Sequence, residues 1–132
     1  MSSNDEENLV IYRSRACYTV LNRFPYNAGH LLVAPYRAVV DLTSLSDDET
    51  MDLWQTVKKM TTVLQDAFQP KGMNIGINIG AAAGAGVPQH LHVHIVPRWP
   101  GDTNFVTTVG GMRVHPNDLA TVYKTLKERL SS

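Results

Sequence analysis

The chain has 132 residues, of which 43% are hydrophobic and 18% charged, and its twelve basic side chains are matched by twelve acidic ones. That suits one domain with a single core, and it excludes a global field that would draw the chain onto nucleic acid or an anionic membrane. Cys17 is the only cysteine, which excludes an internal disulfide. The acidic start Met1 to Glu7 does not read as a secretory signal, and no apolar run approaches the roughly 18 residues of a membrane span. The expectation is a cytoplasmic protein with neither nucleic acid nor membrane as partner.

In chain order, residues 1–8 carry little apolar surface and read as a flexible tail, leaving 9–132 as a single domain. Leu9 to Tyr12 and Arg15 to Asn22 are rich in strand formers and are expected to make a hairpin about Arg13 and Ser14. Phe24 to Gly29 supplies turn residues, and a third strand follows over His30 to Pro35. Ser46 with Glu49 three residues later has the form of a capping box, with Asp47 and Asp48 also set against the positive end of a helix dipole. Leu53, Trp54, Val57, Met60, Leu64 and Phe68 then recur at helical spacing and predict one buried stripe, stopped by Pro70 and Gly72.

Met73 to Gly80 alternates Met73, Ile75, Ile77 and Ile79 with Asn74, Gly76, Asn78 and Gly80. Glycines at alternate positions weaken a strand and signal close approach of a backbone or a ligand. Ala81 to Pro88 is a bare, small-residue loop whose N–H groups suit an anion, with Gly84, Ala85 and Gly86 at its centre. Pro116 opens a last helix with an apolar stripe of Leu119, Val122, Tyr123, Leu126 and Leu130. The class is α+β: an antiparallel sheet of about five strands with one long helix and a C-terminal helix.

Between the loop and the last helix stands Gln89-His90-Leu91-His92-Val93-His94-Ile95-Val96-Pro97-Arg98-Trp99. Its strict alternation places three imidazoles on one face of an extended strand and three aliphatic side chains on the other. A helix would scatter the imidazoles. Imidazole titrates near neutrality, so such a row serves as nucleophile, acid, base or metal ligand. Neighbouring residues of one strand face do not readily converge on one ion, and no carboxylate adjoins them, which disfavours zinc or copper. A surface strand with incidental histidines is the remaining structural reading.

His90 to Val96 resembles the signature of the histidine triad superfamily, nucleotide hydrolases and transferases that act on an α-phosphate. Asn22, the strand Ala28 to Pro35, the pair Asn78 and Gly80, and the Gly84 to Gly86 loop extend that resemblance, and Pro97 to Phe105 resembles the fragile-histidine-triad and bacterial dinucleoside polyphosphate phosphorylase branch. The resemblance implies that His92 is the nucleophile, forming a nucleotidyl-histidine intermediate. It implies that His94 assists the leaving group and that His90 and His30 orient the row. Asn22 would hold a ribose, and Asn78 with the Gly84, Ala85 and Gly86 backbone would hold phosphate. Arg98 and Trp99 admit two readings: contacts to distal phosphates and a second base, or a strand-end ion pair and a dimer edge. The implied function is cleavage of a nucleoside polyphosphate, with no cofactor required beyond magnesium carried by the nucleotide substrate, in a homodimer. Phosphoramidate hydrolysis and nucleotide binding with little turnover are the alternatives. His115 reads as surface.

Overall fold

A computed structural model describes residues 3–23, 28–83, 90–101 and 118–131. Its elements are α1 (Ser3–Glu7), β1 (Val10–Arg13), β2 (Cys17–Leu21), β3 (Leu31–Pro35), α2 (Asp47–Phe68), β4 (Gly72–Ile77), β5 (Val93–Arg98) and α3 (Leu119–Ser131). The strands form one sheet in the order β1-β2-β3-β5-β4, and every pairing is antiparallel. This is the α+β class expected from the sequence.

Register explains why the sheet has one apolar and one chemical face. Leu21 pairs with Leu31, Leu31 with Ile95, and Val33 with Val93. These residues are buried in a core with Ile11, Cys17, the α2 residues Leu53, Val57, Met60 and Leu64, and the α3 residues Val122 and Leu126. Side chains of a strand alternate, so the intervening residues lie on the other face. There Leu32 pairs with His94, and His94 with Gly76.

The long helix begins where the sequence indicates. Ser46 accepts from the Glu49 N–H at 3.1 Å and Glu49 returns to the Ser46 N–H at 2.8 Å, which closes the capping box. Glu49 also pairs with Arg37 at 2.7 Å, and that guanidinium holds its carboxyl down to about 2. At the far end Gln69 takes up the left-handed conformation and caps the helix. Asp52, on the first turns of α2, accepts from Ser14 Oγ and the Ala16 N–H at 2.5 and 2.9 Å, fastening the β1–β2 turn to the helix.

Four expectations need correction. Ser3–Glu7, read as tail, is a short helix whose Asp5 is buried and takes two hydrogen bonds from Arg13, at 3.1 and 2.7 Å; pairing to a cation offsets the burial cost that composition alone counts against such a segment. Trp54 is 42% exposed, and Thr56 is buried instead, because Trp54 sits beside rather than on the stripe through Leu53, Val57 and Leu64. The strand expected over Met73 to Gly80 ends at Ile77, and Ile75 and Ile79 are 45% and 41% exposed: among the described residues β4 is the outer strand of the sheet, and Ile79 lies past its end. The triad strand starts at Val93, so His90 and His92 precede it. The Phe24 to Asn27 turn residues, Gly84, Ala85 and Gly86, His115 and Pro116 lie outside the described residues.

Candidate active site

The site is assembled by β3 and the run into β5. Leu91, Val93 and Ile95 are buried while His90, His92 and His94 are half-buried, so the alternation continues through the residues just before β5. The Leu91 N–H donates to the Val39 carbonyl at 2.8 Å and anchors that approach. His30, only 6% exposed, adjoins Leu31, whose partner is Ile95, and so lies diagonal to His94 across the strand pair. The His92 and His94 rings meet edge to face with centroids 4.8 Å apart, and those of His30 and His94 are 5.3 Å apart.

Hydrogen bonds fix which ring nitrogen of each imidazole carries the proton. His92 Nδ1 lies 2.7 Å from the His90 carbonyl. A carbonyl only accepts, so Nδ1 carries the hydrogen and Nε2 keeps the lone pair. His90 Nε2 lies 2.9 Å from the Pro35 carbonyl and is likewise the donor. Asn22 Nδ2, which only donates, lies 3.3 Å from His30 Nδ1. His30 is thereby protonated at Nε2, which donates to His94 Nδ1 at 3.1 Å. His94 is left with its hydrogen on Nε2. One neighbouring imidazole is therefore set up as a lone-pair donor and the other as a proton donor.

Burial, then charge on His94 and His92, lowers the His30 pKa to about 4, and burial followed by the His92 charge lowers that of His94. Both stay neutral at pH 7, as the relay of single hydrogen bonds requires. Among the described residues, no three His, Cys, Asp or Glu side chains are grouped to hold a metal ion.

Of the residues singled out in the sequence, His30, His90, His92, His94 and Asn22 are brought together. Asn22 reaches this group because its N–H donates to the His30 carbonyl at 2.9 Å, a pairing that the β2–β3 hairpin register imposes. Asn78 follows the end of β4 and is exposed. Trp99 follows the end of β5, and Arg98, its last residue, donates to Asn74. Three groups were missed. The His90 backbone carbonyl, rather than the His90 ring, orients His92, and the Pro35 carbonyl holds that ring; neither leaves any mark in a sequence. Asn74 did leave one, because strand alternation puts it on the glycine face of β4.

Among the described residues, this side of the sheet carries four imidazoles with complementary tautomers, an arrangement able to serve acid–base or nucleophilic chemistry. The HIT domain family model matches residues 3–101, and the chain belongs to that family. The AP-4-A phosphorylase of Mycobacterium tuberculosis (strain ATCC 25618 / H37Rv) is 48% identical over 113 residues, covering 86% of this chain and 58% of that protein. The asymmetrical bis(5'-nucleosyl)-tetraphosphatase of Schizosaccharomyces pombe is 38% identical over 121 residues, covering 91% of this chain and 66% of that one. The chain thus spans less than two thirds of either relative. Among solved structures, a hypothetical histidine triad nucleotide-binding protein from Sulfolobus tokodaii superposes with a TM-score of 0.77 at 27% identity, over 97% of this chain and 87% of that one.

Proposed function

We propose that this protein cleaves a dinucleoside polyphosphate at an α-phosphate by covalent catalysis through His92. The observation that carries the reading is the pair of tautomers: the His90 carbonyl leaves His92 Nε2 with a lone pair, and the Asn22–His30–His94 relay leaves His94 Nε2 with a hydrogen. His92 Nε2 attacks the α-phosphorus, an N–P bond forms, and the bond from phosphorus to the bridging oxygen breaks. The hydrogen on His94 Nε2 stabilises the departing oxygen. Positive charge arising on the His92 ring strengthens its Nδ1–H bond to the His90 carbonyl. In the second step an oxygen of water or inorganic phosphate attacks phosphorus and the N–P bond breaks, restoring the imidazole. Asn78 and the backbone of Gly84, Ala85 and Gly86 are proposed as phosphate donors, Asn22 as a ribose contact, and Trp99 as a contact to the second base.

The names of the relatives support this choice of substrate, and magnesium would arrive with the nucleotide. We further propose that the chain, with α1 fastened to β1 by the Asp5–Arg13 pair, forms one HIT domain that works as a homodimer. The exposed Ile75 and Ile79 at what is, among the described residues, the outer edge of the sheet, with the exposed Met51 and Trp54 of α2, support the dimer. Among the described residues no helix is long and apolar enough to cross a membrane, and a cytoplasmic location fits the free, buried Cys17 thiol.

Diadenosine tetraphosphate, incubated with wild type and His92→Ala with and without inorganic phosphate, tests the proposal by product chromatography. ADP with ATP means phosphate is the acceptor, and AMP with ATP means water is. His92→Ala should lose about a thousandfold or more in rate. An alanine variant as active as wild type would remove His92 from the chemistry, and absence of turnover by wild type would remove the substrate class.

A further inference from the structure

Among the described residues, the sheet face beside His94 is bare at two positions where a strand ordinarily carries side chains. His94, Val96 and Arg98 alternate onto this face of β5, and their partners on β4 are Gly76, Asn74 and Gly72. A Cβ added at Gly76 or Gly72 would meet nothing within 4 Å. Packing among the described residues therefore does not demand either glycine, although glycine inside a strand weakens it. At one end of this strip stands the imidazole pair. At the other Arg98 Nη1 donates to Asn74 Oδ1. Asn74 pairs with Val96, one step nearer His94 than Gly72, the partner of Arg98 itself. The bond therefore draws the guanidinium back along the sheet toward the imidazoles.

One such step, two residues of strand, is about 7 Å, close to the reach of two further phosphates in a polyphosphate chain. With no net charge on the chain, a polyanion has to be held by local cations, and a planar guanidinium fits phosphate oxygens in a way that an ammonium does not. We propose that Arg98, positioned by Asn74, binds the distal phosphates of a substrate whose α-phosphate lies at His92 and His94, and that this pair sets the phosphate number the site prefers. The inference rests on the α-phosphate chemistry proposed above. Arg98 touches the substrate; Asn74 acts through Arg98 and is a positioning residue. Among the described residues, the bare Gly76 adds no side chain between His94 and Arg98.

The test compares kcat/KM for diadenosine tetraphosphate, diadenosine triphosphate and a short adenylate ester without distal phosphates, in wild type, Arg98→Ala, Arg98→Lys, Asn74→Ala and the double alanine variant. The ratio of tetraphosphate to short ester should fall about ten- to a hundredfold in Arg98→Ala, with most of the change in KM, and Arg98→Lys should recover only part of it. Asn74→Ala should lower the same ratio, and the double variant should be no worse than Arg98→Ala alone, because a positioning residue acts through Arg98. An unchanged ratio in Arg98→Ala overturns the inference while leaving the catalytic reading intact, and additive losses overturn the role of Asn74. Wild type that turns over none of the three substrates overturns the catalytic reading, and the inference with it.

Discussion

His30 is the member of the imidazole group most withdrawn from water, and that makes it sensitive to acid. Its pKa falls from 6.5 to about 4, chiefly through burial. Between those values the unfolded chain binds a proton that the folded chain refuses, so stability rises with pH across this window and is lost as pH falls from about 6.5 toward 4. The loss is on the order of 3 kcal/mol. His94, shifted the same way, adds to it. Urea midpoints measured from pH 7 to pH 5 should decline in wild type, and His30→Gln should flatten that decline. Equal slopes in the two proteins would show that His30 is not the group responsible. Glu49, held down to about 2 by Arg37, loses its contribution only as pH falls below the ordinary carboxylate range, so the upper window reports on the histidines.

Among the elements, the entry to β3 decides whether His30 meets His94 at all. Gly29 has φ of 82° and a Cβ placed there would stand 3.1 Å from Leu64 Cδ2, in the core packing of α2, and 3.4 Å from Pro97 Cγ. Both the left-handed backbone and the lack of space require glycine. Gly29→Ala should cost about 1 to 3 kcal/mol and lower activity beyond what lost stability explains, because any shift of Gly29 carries His30 with it. Thermal unfolding together with kcat on the folded fraction tests this; a variant destabilised but fully active would show that the turn holds the fold and not the relay. Elements were legible where local chemistry and periodicity agree. Ser46 and Glu49 marked the start of α2, and the alternation of Leu91, Val93 and Ile95 marked the buried face of the triad run. The Asp5–Arg13 pair that secures α1 was not legible, because nothing in either residue's neighbourhood specifies a partner eight positions away.

At the scale of the molecule, among the described residues, the helices cover one face of the sheet and leave the histidine face uncovered, while β4 is the outer strand and carries the exposed Ile75. Ile75→Lys should place a charge on that edge and convert the proposed homodimer to single chains in sedimentation velocity, with the circular dichroism of a folded protein retained. A wild-type protein that already sediments as one chain would refute the dimer.

The sequence by itself determined the α+β class, the span of the long helix, and the grouping of His90, His92 and His94 on one face, since each follows from the period of side chains along a local element. It also brought out Asn22 and His30, through a resemblance rather than through spacing. Only the tertiary structure decided the proton positions. The His90 and Pro35 carbonyls and the Asn22 amide choose the tautomers, and backbone acceptors are the same in every residue until the fold brings a particular one within hydrogen-bond reach. Exposure of Trp54, Ile75 and Ile79 was decided the same way, because an apolar side chain is buried only if some other element comes to cover it.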